Sequence, residues 1–248
     1  MKTARNSPPV LRQNRASARG LTLIELLSAF AILAIIVALL GITLNTATDT
    51  WHSAQARTRT VAQARAVMDT LAQDLRQAVA TTNFPVTITN APSSYGATNN
   101  AIQFLRICSV AASNQYFVEA VRYGVISSNG TFRLARWTQS LAVDPSGRLP
   151  GTMDDDNLAF DTQAPLTLAD GLAALLFSPP PVDTNSVAPA GGMAWPYLDV
   201  YLELLGAEDS RTAANMSGTT NLTLFVERHV LRFTQRIYLP AVNKWNLP

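Results

Sequence analysis

Cysteine and histidine are nearly absent from this chain of 248 residues, which has one cysteine, Cys108, and two histidines, His52 and His229. A lone cysteine closes no internal disulfide, and with two separated histidines it builds no Cys/His cluster at zinc-ligand spacing. Cys108 is expected to pack as a small apolar side chain. Charge is sparse, at 15% of residues, and unevenly placed. Residues 1–20 carry Lys2, Arg5, Arg12, Arg15 and Arg19 and no acid, which leaves 14 basic against 17 acidic groups, net −3, in the remainder. That balance gives no basic face for a nucleic-acid partner. No phosphate-binding glycine loop or nucleophile elbow occurs, so neither a catalytic set nor a cofactor is expected. The 48% of hydrophobic residues suffices for one sizeable core and argues against disorder.

What is present is concentrated near the start. Leu21 to Leu44 form a nearly unbroken apolar run of 24 residues, about 36 Å as a helix and enough to cross a hydrocarbon core of about 30 Å. The five preceding cations place the N-terminus in the cytoplasm by the positive-inside rule. A cleaved secretory signal fits less well, because its apolar stretch is about 7 to 15 residues long and ends at a small-residue cleavage site. Glu25 inside the run needs a reason, since a charged side chain at the bilayer centre costs about 2.5 to 3.5 kcal/mol on insertion scales. One reason is snorkelling toward the headgroups from the first turns of the helix; its neighbours suggest another.

Past the membrane segment, Val61, Met68 and Leu75 recur every seven residues, with Ala64, Leu71 and Ala78 between them. One apolar stripe results, with Arg57, Arg59, Arg65, Asp69, Asp74 and Arg76 at the other positions. The pattern predicts that the helix continues over 45–82, softened near Gly41 and Asn45, until Thr81–Phe84 and Pro85 stop it. Residues 83–248 then read as one mainly antiparallel β domain. Asn129-Gly130 marks a hairpin between VEAVRYGVISS and TFRLARW. Leu198, Val200, Leu202 and Leu204 alternate with polar residues as a half-buried strand does, and Leu231, Phe233, Ile237 and Leu239 do the same. His229 is placed in a strand, residues 207–216 form a short helix or a loop, and the proline-rich 178–196 is an exposed loop. Asp154, Asp155 and Asp156 with Asn157 supply oxygens suited to Ca²⁺. They lack the glycine and distal glutamate of an EF-hand and read first as a solvated turn.

Gly20 followed by Leu21-Thr22-Leu23-Ile24-Glu25-Leu26-Leu27, basic before and apolar after, resembles the class III signal of type IV prepilins and type II secretion pseudopilins. The resemblance implies an α+β, pilin-like protein: a long N-terminal helix, transmembrane and then amphipathic, packed on an antiparallel sheet. It implies a leader over 1–20, a transmembrane helix over 21–44 and a periplasmic domain over 83–248. A prepilin peptidase would cut between Gly20 and Leu21 and methylate the new Leu21 amine. This chain departs from the commonest form in having Leu at 21 instead of Phe. Glu25, about 6 Å along the axis from that amine, could pair with it or with the amine of a neighbouring subunit; the resemblance implies the second use, with Glu25 guiding assembly.

The implied partners are the peptidase, other pseudopilins or pilins and an inner-membrane assembly platform, with the domain in the periplasm on a single-pass anchor. Met68–Ala78, Val121-Arg122-Tyr123-Gly124 and Leu134-Ala135-Arg136 look like segments of the J-type minor pseudopilin of type II secretion. The competing class is a signal-anchored periplasmic binding or enzymatic domain outside any filament. Gly20 together with Glu25 is the expected discriminator, because a plain anchor has no evident use for the acid.

Overall fold

The computed structural model describes residues 22–80, 85–110, 115–141, 160, 164–180, 195–216 and 219–239. The chain divides into two compact units, Met1–His52 and Ser53–Pro248. Helix α1, Leu23–Arg76, contributes to both. In the first unit its residues are exposed, and not one residue of its most apolar window is buried. That stretch is long and apolar enough to cross a membrane. Its threonines turn their hydroxyls onto their own helix: Thr43 donates to Leu39 O at 2.5 Å, Thr46 to Ile42 O at 2.9 Å and Thr48 to Leu44 O at 2.8 Å. Hydroxyls satisfied in this way do not have to find water.

In the second unit the same helix becomes a core element. Ala64, Met68, Leu71, Leu75 and the following Ala78 are buried as the stripe requires, and Arg57, Arg59, Arg65, Asp69 and Arg76 are exposed. The helix ends at Arg76, short of the expected 82, because Ala78 and Val79 enter the sheet as β1. The residues expected to stop it, 81–84, lie outside the described set.

The stripe packs on a six-stranded antiparallel sheet of β1 (Ala78–Val79), β2 (Thr87–Ser94), β3 (Ala97–Val110), β4 (Gln115–Ser128), β5 (Thr131–Leu141) and β6 (Leu166–Asp170). The order is β1-β3-β4-β5-β6, with β2 paired to the first half of β3. Tight turns join β2 to β3 and β4 to β5. The second has the expected positive φ at Asn129 (52°) and Gly130 (74°); the first puts Tyr95 (49°) and Gly96 (86°) there. A bulky residue at positive φ is costly. Tyr95 is held by an edge-on contact with Phe132 and a 2.9 Å hydrogen bond between its hydroxyl and Ser210 Oγ.

A second, three-stranded sheet, β7 (Leu172–Ser178), β8 (Tyr197–Leu204) and β9 (Leu231–Tyr238), shares the main core. Leu175, Phe177, Val200 and Leu202 join Leu71 and Leu75 of α1 and Ile102, Phe104 and Val121 of the first sheet in one cluster. The chain passes from sheet to sheet at Gly171, the single residue between β6 and β7, with φ +73°. A Cβ there would stand 2.5 Å from Leu205 O, whose own amide donates to Gly171 O. Two short helices follow β8: α2 (Ala207–Asn215) and α3 (Thr219–His229). His229 therefore ends a helix, not a strand; its ring stacks on Phe225 one turn back.

Asp74 departs from its expected exposed position. It is buried at 3% exposure and meets Arg106 Nη1 of β3 at 2.5 Å, Arg136 Nε of β5 at 2.7 Å and the Tyr123 hydroxyl of β4 at 2.6 Å. Arg106 also forks onto Glu119. Burial opposes the Arg106 charge, but the Glu119 hydrogen bond and the two carboxylates outweigh it and raise its pKa. Burial first, then the charge and hydrogen bond of Asp74, hold the Tyr123 phenol well above its ordinary value of 10.

Removing one partner of a buried pair strands the others, so Asp74→Ala should cost about 3 to 5 kcal/mol, read as a lower urea midpoint. A phenol whose folded pKa is raised contributes stability that is complete below its unfolded value and lost as pH climbs through the folded one. The urea midpoint should therefore fall from about pH 10 upward, more steeply in the native chain than in Tyr123→Phe.

Candidate functional site

The residues expected to carry processing and assembly are Gly20, Leu21 and Glu25. Gly20 and Leu21 lie outside the described residues, as do Asp154, Asp155 and Asp156. Glu25 sits in the first turn of α1, and its neighbour Thr22 stands just before the helix. Thr22 N donates to Glu25 Oε2 at 2.9 Å and Thr22 Oγ1 donates to the same oxygen at 3.0 Å. In return Glu25 N approaches Thr22 Oγ1 at 3.4 Å.

This is a capping box, in which the side chains three residues apart satisfy amides that a helix start leaves without partners. Within hydrocarbon those amides have no water to turn to, which raises the value of the cap. The negative side chain also lies at the positive end of the helix dipole. The Thr-x-x-Glu spacing before an apolar run is the sequence signal for it. A plain anchor therefore does gain from an acid at 25. Glu25 alone does not separate a filament subunit from an anchor.

Around Glu25 the helix offers mostly apolar surface: Leu23, Ile24, Leu26, Leu27 and Phe30 are all exposed, and the exposed Ser28 turns its hydroxyl back onto Glu25 O at 2.9 Å. This surface suits lipid or other apolar helices and presents one acid at its end.

Among the described residues the second unit's one buried cluster of titratable groups is the Asp74 network already described. Among the described residues no group of three His, Cys, Asp or Glu side chains is placed to hold a metal. His52 is exposed on α1, and His229 Nδ1 is 2.8 Å from Phe225 O. Cys108 is half-buried on β3, and its thiol pKa is raised, by burial first. An open crevice of about 290 Å³ lies between the start of α2, the end of α3 and the α1 segment at Ser53–Thr60. Arg57, Glu208, Asp209, Arg228 and His229 line it in mixed charge.

Against this geometry, residues 15–41 match the model described as the prokaryotic N-terminal methylation motif, a stretch that contains Gly20, Leu21 and Glu25. Among solved structures the chain is similar to a type IV-like pilin from Thermus thermophilus. The TM-score is 0.37 at 13% identity, over 73% of this chain and 97% of that one, a likeness too distant to carry an assignment. No curated protein matches the chain.

Removing the capping hydroxyl with Thr22→Ala should cost about 1 kcal/mol at the start of α1. Amide exchange in detergent micelles should then quicken at Leu23 to Leu26 and stay unchanged in β3 and β4. Equal quickening in both places would mean that the cap is not local.

Proposed function

We propose that this chain is a pilin-like structural subunit, cut by a prepilin peptidase between Gly20 and Leu21, methylated on Leu21 and built into a filament through its apolar helix. The match of residues 15–41 to the N-terminal methylation motif carries this reading. It is supported by the exposed apolar first half of α1, which leads into a β-rich unit. The finer reading is a J-type minor pseudopilin of a type II secretion system. Its N-terminus lies in the cytoplasm and its β unit in the periplasm, and it meets other pseudopilins and the inner-membrane assembly platform. It has no catalytic role in this scheme. Glu25 keeps its cap to Thr22 in the free subunit and offers its charge to an N-terminal amine in the filament.

The second reading, a signal-anchored domain outside any filament, is favoured by the cap itself, which explains Glu25 without a neighbour.

Intact mass and N-terminal peptide mapping of protein taken from its native membrane separate the two. A chain that begins at Leu21 with one added methyl group fits the filament subunit; one that begins at or near Met1 fits the anchor. Gly20→Leu should block cutting. Glu25→Gln keeps an acceptor for the cap but loses the charge. It should leave processing intact and lower filament yield by about tenfold or more, the result of losing at least about 1.4 kcal/mol of pairing. Normal filament yield from Glu25→Gln would reduce this residue to a helix cap.

A further inference from the structure

The two edges of the three-stranded sheet are treated differently. The β7 edge is closed by side chains: Ser94 Oγ donates to Ala173 O at 2.5 Å, and Asn99 Oδ1 accepts from Leu175 N at 2.8 Å. The β9 edge has no such closure. Among the described residues β9 pairs with β8 alone, so a row of backbone donors and acceptors faces outward. Long regular edges are usually blunted by a bulge, a proline, charged side chains or a covering segment. β9 has no bulge and no proline, its two charges, Arg232 and Arg236, are paired to Glu203 and Asp199 of β8, and its register with β8 runs unbroken from Tyr197↔Tyr238 to Leu204↔Leu231.

The core is also unfinished along this strand. Leu231, Phe233 and Gln235 face it half-buried, while their β8 partners Leu204, Leu202 and Val200 are fully enclosed. Gln235 is the polar member of that row and has no hydrogen-bond partner among the described residues.

We propose that a second copy of this chain adds to this edge, with β9 pairing antiparallel to β9 about a twofold axis through Gln235. Core-facing residues must meet core-facing residues, which leaves few registers. Centring the pair on Thr234 sets Arg232 against Arg236 of the second copy, and centring it on Arg236 sets two arginines face to face. Like charges directly opposite destabilise a sheet. Centring on Phe233 engages only Leu231–Gln235. Centring on Gln235 engages Arg232–Tyr238: Phe233 meets Ile237, Thr234 meets Arg236, and Arg232 lies across from the Tyr238 ring.

In that register the two Gln235 amides face each other, and each brings the donor and the acceptor that the other lacks. β-strand addition is an established mode of recognition. A seam of one strand pair is small by the standards of stable interfaces. The pairing belongs to full chains held at high effective concentration by their anchors, not to dilute solution.

The test is disulfide trapping in native membranes, using the full chain with Cys108→Ser as background. Residues directly opposite in an antiparallel pair are about 4.5 to 5.5 Å apart at Cα, within disulfide range. Gln235→Cys should yield a dimer under mild oxidation. Arg232→Cys by itself should stay monomeric, and Arg232→Cys co-expressed with Tyr238→Cys should cross-link. The proposal is overturned if Gln235→Cys stays monomeric, if it links to a protein of another mass, or if Arg232→Cys dimerises equally well by itself. None of these readouts depends on processing or filament assembly.

Discussion

The described part of the second unit is organised around the buried carboxylate of Asp74. Asp74 stands at the end of the apolar stripe of α1, and the groups that meet it come from three neighbouring strands: the guanidinium of Arg106 from β3, the hydroxyl of Tyr123 from β4 and the guanidinium of Arg136 from β5. Hydrophobic contact lets a helix rotate or slide by a fraction of a turn at small cost, because many apolar surfaces fit one another tolerably. A carboxylate with three directional partners does not allow this. It fixes the rotation of the helix over the sheet and requires those strands to keep their order and register. Burying charge costs desolvation, so the gain lies in specifying one arrangement, not in net stabilisation.

That cluster also marks where reading the sequence failed. Periodicity assigned Asp74 to the wet side of the helix, since it counts faces and knows nothing of the charges waiting on distant strands. Elements whose evidence is local were legible: the apolar run, the Asn129-Gly130 turn, and the alternation of β8 and β9. The turn at Tyr95-Gly96 was not, because a tyrosine tolerates positive φ here only through its contacts with Phe132 and Ser210. Helix α3 was missed because TTNLTLFVERH mixes threonines with apolar residues and carries no strong start signal. At the candidate site the acid and its place were legible. Its hydrogen bonds to Thr22 were there in the spacing and were overlooked.

The two units solve opposite problems. The helix of the first buries nothing and turns its threonine hydroxyls onto its own carbonyls and Glu25 onto its first amide. The second unit satisfies its polar groups across distant segments. Ser94 and Asn99 stand in for a missing strand beside β7, and Asp74 joins residues far apart in sequence. The bonds of the first are local to one helix; those of the second are a product of the whole fold.

Gly171 has a consequence for how this sequence can drift. Both sheets meet at that residue, where even one methyl group would collide with the Leu205 carbonyl. Every replacement by mutation adds at least that methyl. A core position can trade one aliphatic for another at small cost, but at this position no other residue type fits. Lineages of this protein are expected to vary around a glycine that stays.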